Sequence, residues 1–363
     1  MSKNSKKNNK GFRIWKLPLY LIGFVLIVAV AGIIFLTVTE YRPQEREALA
    51  VEDGGQKKLA EGASFTLMSW NIGFGALGDN ADFFMDGGKG VKTADTARLE
   101  SNMAGILREI DAVRPDILLI QEIDRDSARS EGMNQVRRIA EHLQGFSSSF
   151  ANNLKVAFLP YPIPPIGKVD SGIATYSSFA VGSAERIQLP IPFPWPVRMA
   201  NLKRCLLVSR LPVEGSGREL VLVNLHLEAY DSGEGKTAQT QKLAELLEAE
   251  AEKGNYVIAG GDFNQIFSNY DKNKYPQQEG KWVVGEIDVN AFTAGWQFLM
   301  DDAVPTCRSL DQPYAGADKA AFQYYLLDGF IVSANVQADL MITRDLDFVC
   351  SDHNPVVLRV TLK

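Results

Sequence analysis

The sequence predicts an α/β sandwich of packed β-sheets behind a single N-terminal membrane-spanning helix. Three observations carry this. One long apolar run lies near the N-terminus and contains no charge. After it, short apolar runs alternate with segments of helical period. The middle of the chain is rich in strand-like runs, which argues for packed sheets rather than one purely parallel Rossmann sheet. With 363 residues, 46% hydrophobic and 23% charged, the chain can bury one large core or two small ones.

Residues 1–16, MSKNSKKNNKGFRIWK, hold six basic residues and no acid. Residues 17–39, LPLYLIGFVLIVAVAGIIFLTVT, are uncharged. A helix of about 20 residues crosses the hydrocarbon core, so the run is long enough. A secretory signal has a shorter apolar core of about 7–15 residues and a small-residue cleavage site. Ala29-Val30-Ala31 has that pattern, but the apolar run continues to Val38, which suits an uncleaved anchor. Basic residues on the short N-terminal side hold that end in the cytoplasm and leave the rest outside. The expected organisation is a cytoplasmic tail (1–16), a transmembrane anchor (17–39), a polar linker or stalk (40–63) and one domain (64–363) at the outer face of the cell membrane.

Beyond the tail, 32 basic residues face 44 acidic ones, a balance of −12. Such a domain has no broad surface for tracking a phosphate backbone, although a small phosphate held by a metal remains compatible. Three cysteines, Cys205, Cys307 and Cys350, form no CxxC, which excludes a zinc ribbon. Their odd number leaves at most one disulfide.

The elements follow in order. SFTLMSW (64–70) reads as a strand. Residues 97–113 place Met103, Ile106, Leu107, Ile110 and Val113 at helical spacing. DILLIQ (116–121) reads as a buried strand after a proline, and MNQVRRIAEHL (133–143) as a helix with His142 exposed. KVAFLP, SGIATYS, KRCLLVSRL and ELVLVNLHL are strands. KTAQTQKLAELLEAEAEK (236–253) is an amphipathic helix with Leu243, Leu246 and Leu247 on one side. NYVIAGG, LLDGFIVS and PVVLRVTL complete the strands.

GFGALG (73–78) matches the glycine pattern of dinucleotide sites, but a poor helix former follows, so no helix N-terminus faces a pyrophosphate. It reads instead as a flexible loop beside a site. More telling is where the strands stop. LMSW ends in Asn71, DILLIQ in Glu122, LVLVNL in His226, and YVIAGG in Asp262 with Asn264 two residues on. Ligands of α/β sheets bind outside the carboxyl ends of strands. Any one of these residues passes as a cap or turn; five together predict a site.

SWN (69–71), QE (121–122), NLHL (224–227), GDFN (261–264), LDGFIVS (327–333) and SDH (351–353) resemble, in order and spacing, the motifs of the endonuclease/exonuclease/phosphatase superfamily, over residues 64–363. The resemblance implies a four-layer α/β sandwich of two packed mixed β-sheets flanked by helices. It also implies a metal-dependent phosphoric ester hydrolase using Mg²⁺, with Mn²⁺ as an alternative. On this resemblance Glu122, Asn71 and Asp352 are metal ligands, while His353, Asp328, Asp262, His226 and Asn264 are catalytic. Asp328 would orient His353, and Asp262 would orient or deprotonate water. His226 and Asn264 would bind phosphate oxygens.

The expected substrate is a phosphoester of nuclease or phosphodiesterase type; the alternatives are a lipid headgroup, as in sphingomyelinases, or a small phosphomonoester. An inert tethered binding module is the remaining reading. No protein partner is expected. The loop after Asn71 carries Asp79, Asp82 and Asp86, which disfavours DNA, and Gly329 is expected to leave room beside the Asp328–His353 pair. Phe193 and Trp195, among prolines, are placed to touch lipid or to pack on the sheet. Arg125 and Arg129 follow Glu122, within reach of a phosphate or as solvated charges.

Overall fold

The computed structural model describes residues 16–363 apart from Asp53 and Ser232; the basic tail, except Lys16, lies outside the described residues. Two mixed sheets lie face to face with helices on both outer sides, the four layers expected. The first sheet runs Arg46–Leu49, Ser183–Gln188, Cys205–Glu214, Glu219–His226, Tyr256–Asp262, Asp328–Val332, Gln297–Leu299. The second runs Val336–Thr343, Val356–Leu362, Ser64–Asn71, Ile117–Asp124, Gly167–Ser177, Ser147–Leu159. Between them lies an apolar layer that includes Phe65, Leu67, Ile117 and Leu119 from one sheet and Leu220, Leu222, Ile258 and Phe330 from the other.

The helices cover the outer faces for the reason their spacing gives. The helix α1 (Leu17–Val38) stands apart from the layers. In α2 (Thr96–Val113), Met103, Ile106 and Ile110 pack with Ile139 of α3 (Gln135–His142) on the second sheet. Asp95 caps α2 by accepting from the Arg98 N–H at 2.8 Å. His142 is bonded to Asp111 at 2.8 Å, which ties α3 to α2. In α4 (Glu234–Glu252), Leu243 and Leu247 pack on the first sheet.

Residues 40–63 are not a free stalk. Arg46–Leu49 pairs antiparallel with residues of Ser183–Gln188, and Leu59–Ala60 pairs with Val213 and Glu214. Arg46–Leu49 is half-exposed at a sheet edge, and Leu59–Ala60 is only two residues long, so neither offers the run of apolar alternation that would reveal it in sequence. The root of α1 is likewise built in. Thr37 Oγ donates to Met199 Sδ at 3.0 Å, and the buried Glu40 carboxylate meets Arg42, Arg198 and Lys203 at 3.0, 3.4 and 3.6 Å. Before that last turn α1 projects with its side chains exposed, and it is long and apolar enough to cross a membrane. The three cysteines are free and buried.

Candidate active site

Strand register brings the motif residues together. In the parallel pair, Asp262 stands beside His226; across the antiparallel neighbour it faces Asp328. Gly261 makes the first contact possible: its φ is +150°, and a Cβ there would lie 2.0 Å from the Leu225 carbonyl oxygen. In the other sheet, Asn71 is paired with Gln121. Just beyond, a bulge between Ile120 and Ile123 and a φ of 49° at Glu122 turn this side chain out of the ladder. Gln121 donates to Asn224 at 2.8 Å, and Asn224 donates to the Ala174 carbonyl at 2.8 Å. These buried amides join the sheets directly beneath Glu122 and His226.

Asp328 and His353 form a bonded pair, Nδ1 to Oδ2 at 2.8 Å, with Nε2 turned toward Asp262 at 3.8 Å. Thr306 Oγ accepts from the Leu327 and Asp328 N–H groups, which fixes the carboxylate's strand. Trp70 Nε1 donates to the His353 carbonyl at 2.8 Å, and Ser351 Oγ donates to the Asn71 carbonyl. Burial alone would lower the His353 pKa, but the neighbouring Cys307, Asp328 and Asp262 outweigh it and hold the imidazole well above its usual range. Burial pushes the Cys307 thiol up to about 12, so it stays neutral and the two carboxylates carry the effect. His226 is the opposite case. Burial, then Arg204 and His353, lower it well below the usual value, and it sits neutral with Nε2 3.4 Å from Asp262.

Asp262 is held on both oxygens. Oδ1 accepts from the Asn264 N–H at 2.9 Å and Oδ2 from Asn71 Nδ2 at 3.0 Å. Burial raises its pKa to about 6, with His353 opposing and Asp328 adding. Asn264, at φ 51°, donates one amide hydrogen to the Leu227 carbonyl, so only its second faces a ligand. Asn71 Oδ1 already accepts from the Gly73 N–H at 3.0 Å and keeps one lone pair.

The carboxylates on the other side are crowded. Burial raises Asp352 to about 7; His353 opposes, and Glu122 and Asp86 add. Burial also raises Glu122, and raises Asp86 to about 6 with Glu122 adding to it. Among the described residues no group donates a hydrogen bond to Glu122; the nearest ionisable nitrogen is Nε2 of the neutral His226, at 4.0 Å. A buried Asp352 beside the half-buried Glu122 and Asp86, with hard oxygen donors and no bonded counter-charge, fits a divalent cation. The alternative clusters, Asp262–Asp328–His353 and Cys307–Asp352–His353, fit less well because His353 is already bonded through Nδ1.

Several expectations are revised. The loop over 73–78 is buried rather than flexible: Phe74 and Leu77 lie in a core cluster, and Gln135 and Asn102 donate to its carbonyls. Gly73 sits against the site, since a Cβ there would lie 2.9 Å from Asp352 Oδ1. Gly329 leaves no room beside the dyad, because its Cβ would lie 2.5 Å from the Leu299 carbonyl oxygen, facing the core. Arg129 pairs with buried Asp124 at 3.0 Å and stacks on Phe74, and Arg125 pairs with Asp170. Neither is free for a phosphate. One residue at the mouth carries no sequence signal: Tyr230 donates to Asp86 at 3.2 Å, bridging the loop after Asn71 to the chain after His226. A lone tyrosine in a loop carries no periodic signal that would reveal it.

The chain belongs to the Endonuclease/Exonuclease/phosphatase family, whose profile matches residues 68–324. Among solved structures it is similar to the endonuclease/exonuclease/phosphatase from Beutenbergia cavernae, at 19% identity over 82% of this chain and 72% of that one, with a TM-score of 0.55. It is similar to ANGEL2, a 2′,3′-cyclic phosphatase, at 16% identity over 86% and 98%, TM-score 0.55. TDP2 from Caenorhabditis elegans aligns at 17% identity over 84% and 75%, TM-score 0.50. At these identities the likeness is one of fold. A search of curated protein sequences returns no match.

Proposed function

We propose that this protein is a divalent-metal-dependent phosphoester hydrolase of phosphodiesterase type, tethered by α1 to the outer face of the cell membrane. The observation that carries the reading is the convergence of Asp262, His226 and the Asp328–His353 pair at strand ends facing a crowded group of carboxylates. Glu122 and Asp352, with the free lone pair of Asn71, would hold Mg²⁺ or Mn²⁺. Bound there, the ion would offset charge that grows on a phosphoryl oxygen. Asp262, fixed by Asn71 and Asn264, orients an attacking water through Oδ2 and lies where it can accept a proton. His353, held cationic by Asp328, donates through Nε2 to a phosphate oxygen, and neutral His226 donates to a second. The acidic rim disfavours a long polyanion as substrate.

The test is a screen of the full-length protein in detergent with Mg²⁺ or Mn²⁺ against plasmid DNA, RNA, sphingomyelin and a panel of phosphomonoesters. Hydrolysis of at least one, abolished by chelator and restored by the cation, is expected. No hydrolysis of any, or full activity in excess chelator, overturns the reading.

A further inference from the structure

Two loops beside the site mouth present large apolar side chains to solvent. In one, Tyr161 and Ile163 are exposed, Ile163 to 94%, as is Phe158 at the end of the strand that leads into it. In the other, Trp195 and Val197 are more than half exposed. Both loops touch the mouth. The Tyr161 ring lies 5.8 Å from that of Phe84, two residues before the Asp86 that bonds Tyr230. Pro192 and Phe193 share with Tyr230 and Asp231 a cavity of about 430 Å³, within the size range of small-ligand sites. The second loop also reaches the root of α1. Met199 accepts from Thr37, and Arg198 pairs with the buried Glu40. The helix α1 also lies against Ser147–Leu159, the strand that leads into the first loop. With Glu45 accepting from the Gln188 N–H and Arg46–Leu49 paired in the first sheet, the chain enters the domain within a few residues of α1.

Resting on the hydrolase reading above, we propose that these two loops dock in the headgroup layer of the bilayer that α1 spans, and that the site takes its phosphoester from a phospholipid headgroup in that layer. Trp and Tyr partition to the membrane interface because a large apolar ring and a polar tip are both satisfied there. A flat water-exposed location gives Ile163 no such compensation. The rigid root of α1 fixes the domain's height, so the loops need no separate recruitment. A mouth flanked by both loops then opens along the headgroups, and its acidic rim has no long polyanion to admit.

The experiment reconstitutes the full-length protein in nanodiscs of phosphatidylcholine and phosphatidylglycerol. Ile163→Cys and Trp195→Cys are labelled with an environment-sensitive fluorophore, the native cysteines being buried. Leu340→Cys, exposed on the sheet edge opposite Ser147–Leu159, is the control. Doxyl-labelled lipid is expected to quench the first two and spare the third. Equal quenching at all three sites overturns the docking, as does shielding of 163 and 195 from an aqueous quencher without quenching by lipid, which would indicate a protein partner or a second copy. In parallel, the double variant Ile163→Ala/Trp195→Ala is expected to lose turnover severalfold on phosphatidylcholine or phosphatidylglycerol in the disc, with bis(p-nitrophenyl) phosphate hydrolysis unchanged. Hydrolysis of the soluble ester but of no lipid overturns the substrate assignment. Quenching at 163 and 195 with neither ester hydrolysed supports the docking and overturns the hydrolase reading instead.

Discussion

At the residue scale, the Asp328–His353 pair and Glu122 make separable predictions. A carboxylate that only orients and charges an imidazole has little to act on once the ring is gone. Asp328→Asn and His353→Ala should each lower kcat by about 10²–10⁴, and the double variant should be little worse than the worse single one. A kinetic double-mutant cycle measures this; losses that multiply would show two independent groups. Glu122→Gln removes a charge from the crowded carboxylates while keeping the shape. Calorimetric titration with Mn²⁺ should show weaker binding in this variant, independently of activity. Unchanged affinity would remove Glu122 from the metal site.

At the element scale, α4 is fastened to the first sheet by a buried acid near its C-terminal end. Glu250 accepts from Arg210 at 2.6 Å, Lys253 at 2.8 Å and Asn255 at 2.8 Å. Burial would raise its pKa, but these bonds prevail and lower it from 4.5 to about 2. The group binds its proton more weakly folded than unfolded. Its stabilising contribution is therefore complete above about pH 4.5 and is lost as pH falls toward about 2. Glu250→Gln should cost about 2 kcal/mol at neutral pH, since it weakens charge-assisted hydrogen bonds to a buried carboxylate, while Arg210 keeps Glu219 at 2.9 Å. Urea denaturation across that range should show the variant's deficit shrinking as pH falls. A deficit constant with pH would mean that the charge is not what holds α4.

At the scale of the whole molecule, the basic residues before α1 and the built-in root of the helix predict a domain fixed outside the membrane. Protease added to intact cells should digest the domain. If cleavage appears only after lysis, the orientation is reversed. The rigid root adds a second expectation: a fragment map of that digest should show no cut within Arg46–Leu49 or Leu59–Ala60, because both are paired in sheet.

The sequence by itself determined the alternation of elements, the apolar span and the polar residues at strand ends, because burial imposes periods of 2 and 3.6 that survive in linear order. Asn71, Glu122, His226, Asp262, Asp328 and His353 were legible for that reason and from their motifs. The edge strand Arg46–Leu49 was not, since a strand with one paired side and a half-exposed face needs no apolar alternation; nor was Ser183–Gln188, which is paired on both sides but buries the charged Arg186 among its apolar residues. Nor were the second engagements of Asn71 and Asn264, the capture of Arg125 and Arg129 by acids, or the Tyr230–Asp86 bridge. Asn71 and Arg129 find their partners within five residues, but the others depend on one brought alongside by sheet register or loop path, over as many as 144 positions for Tyr230 and Asp86. Only the tertiary structure decided these, because a hydrogen bond forms between groups that are near in space, and one chain position does not encode the distance to another.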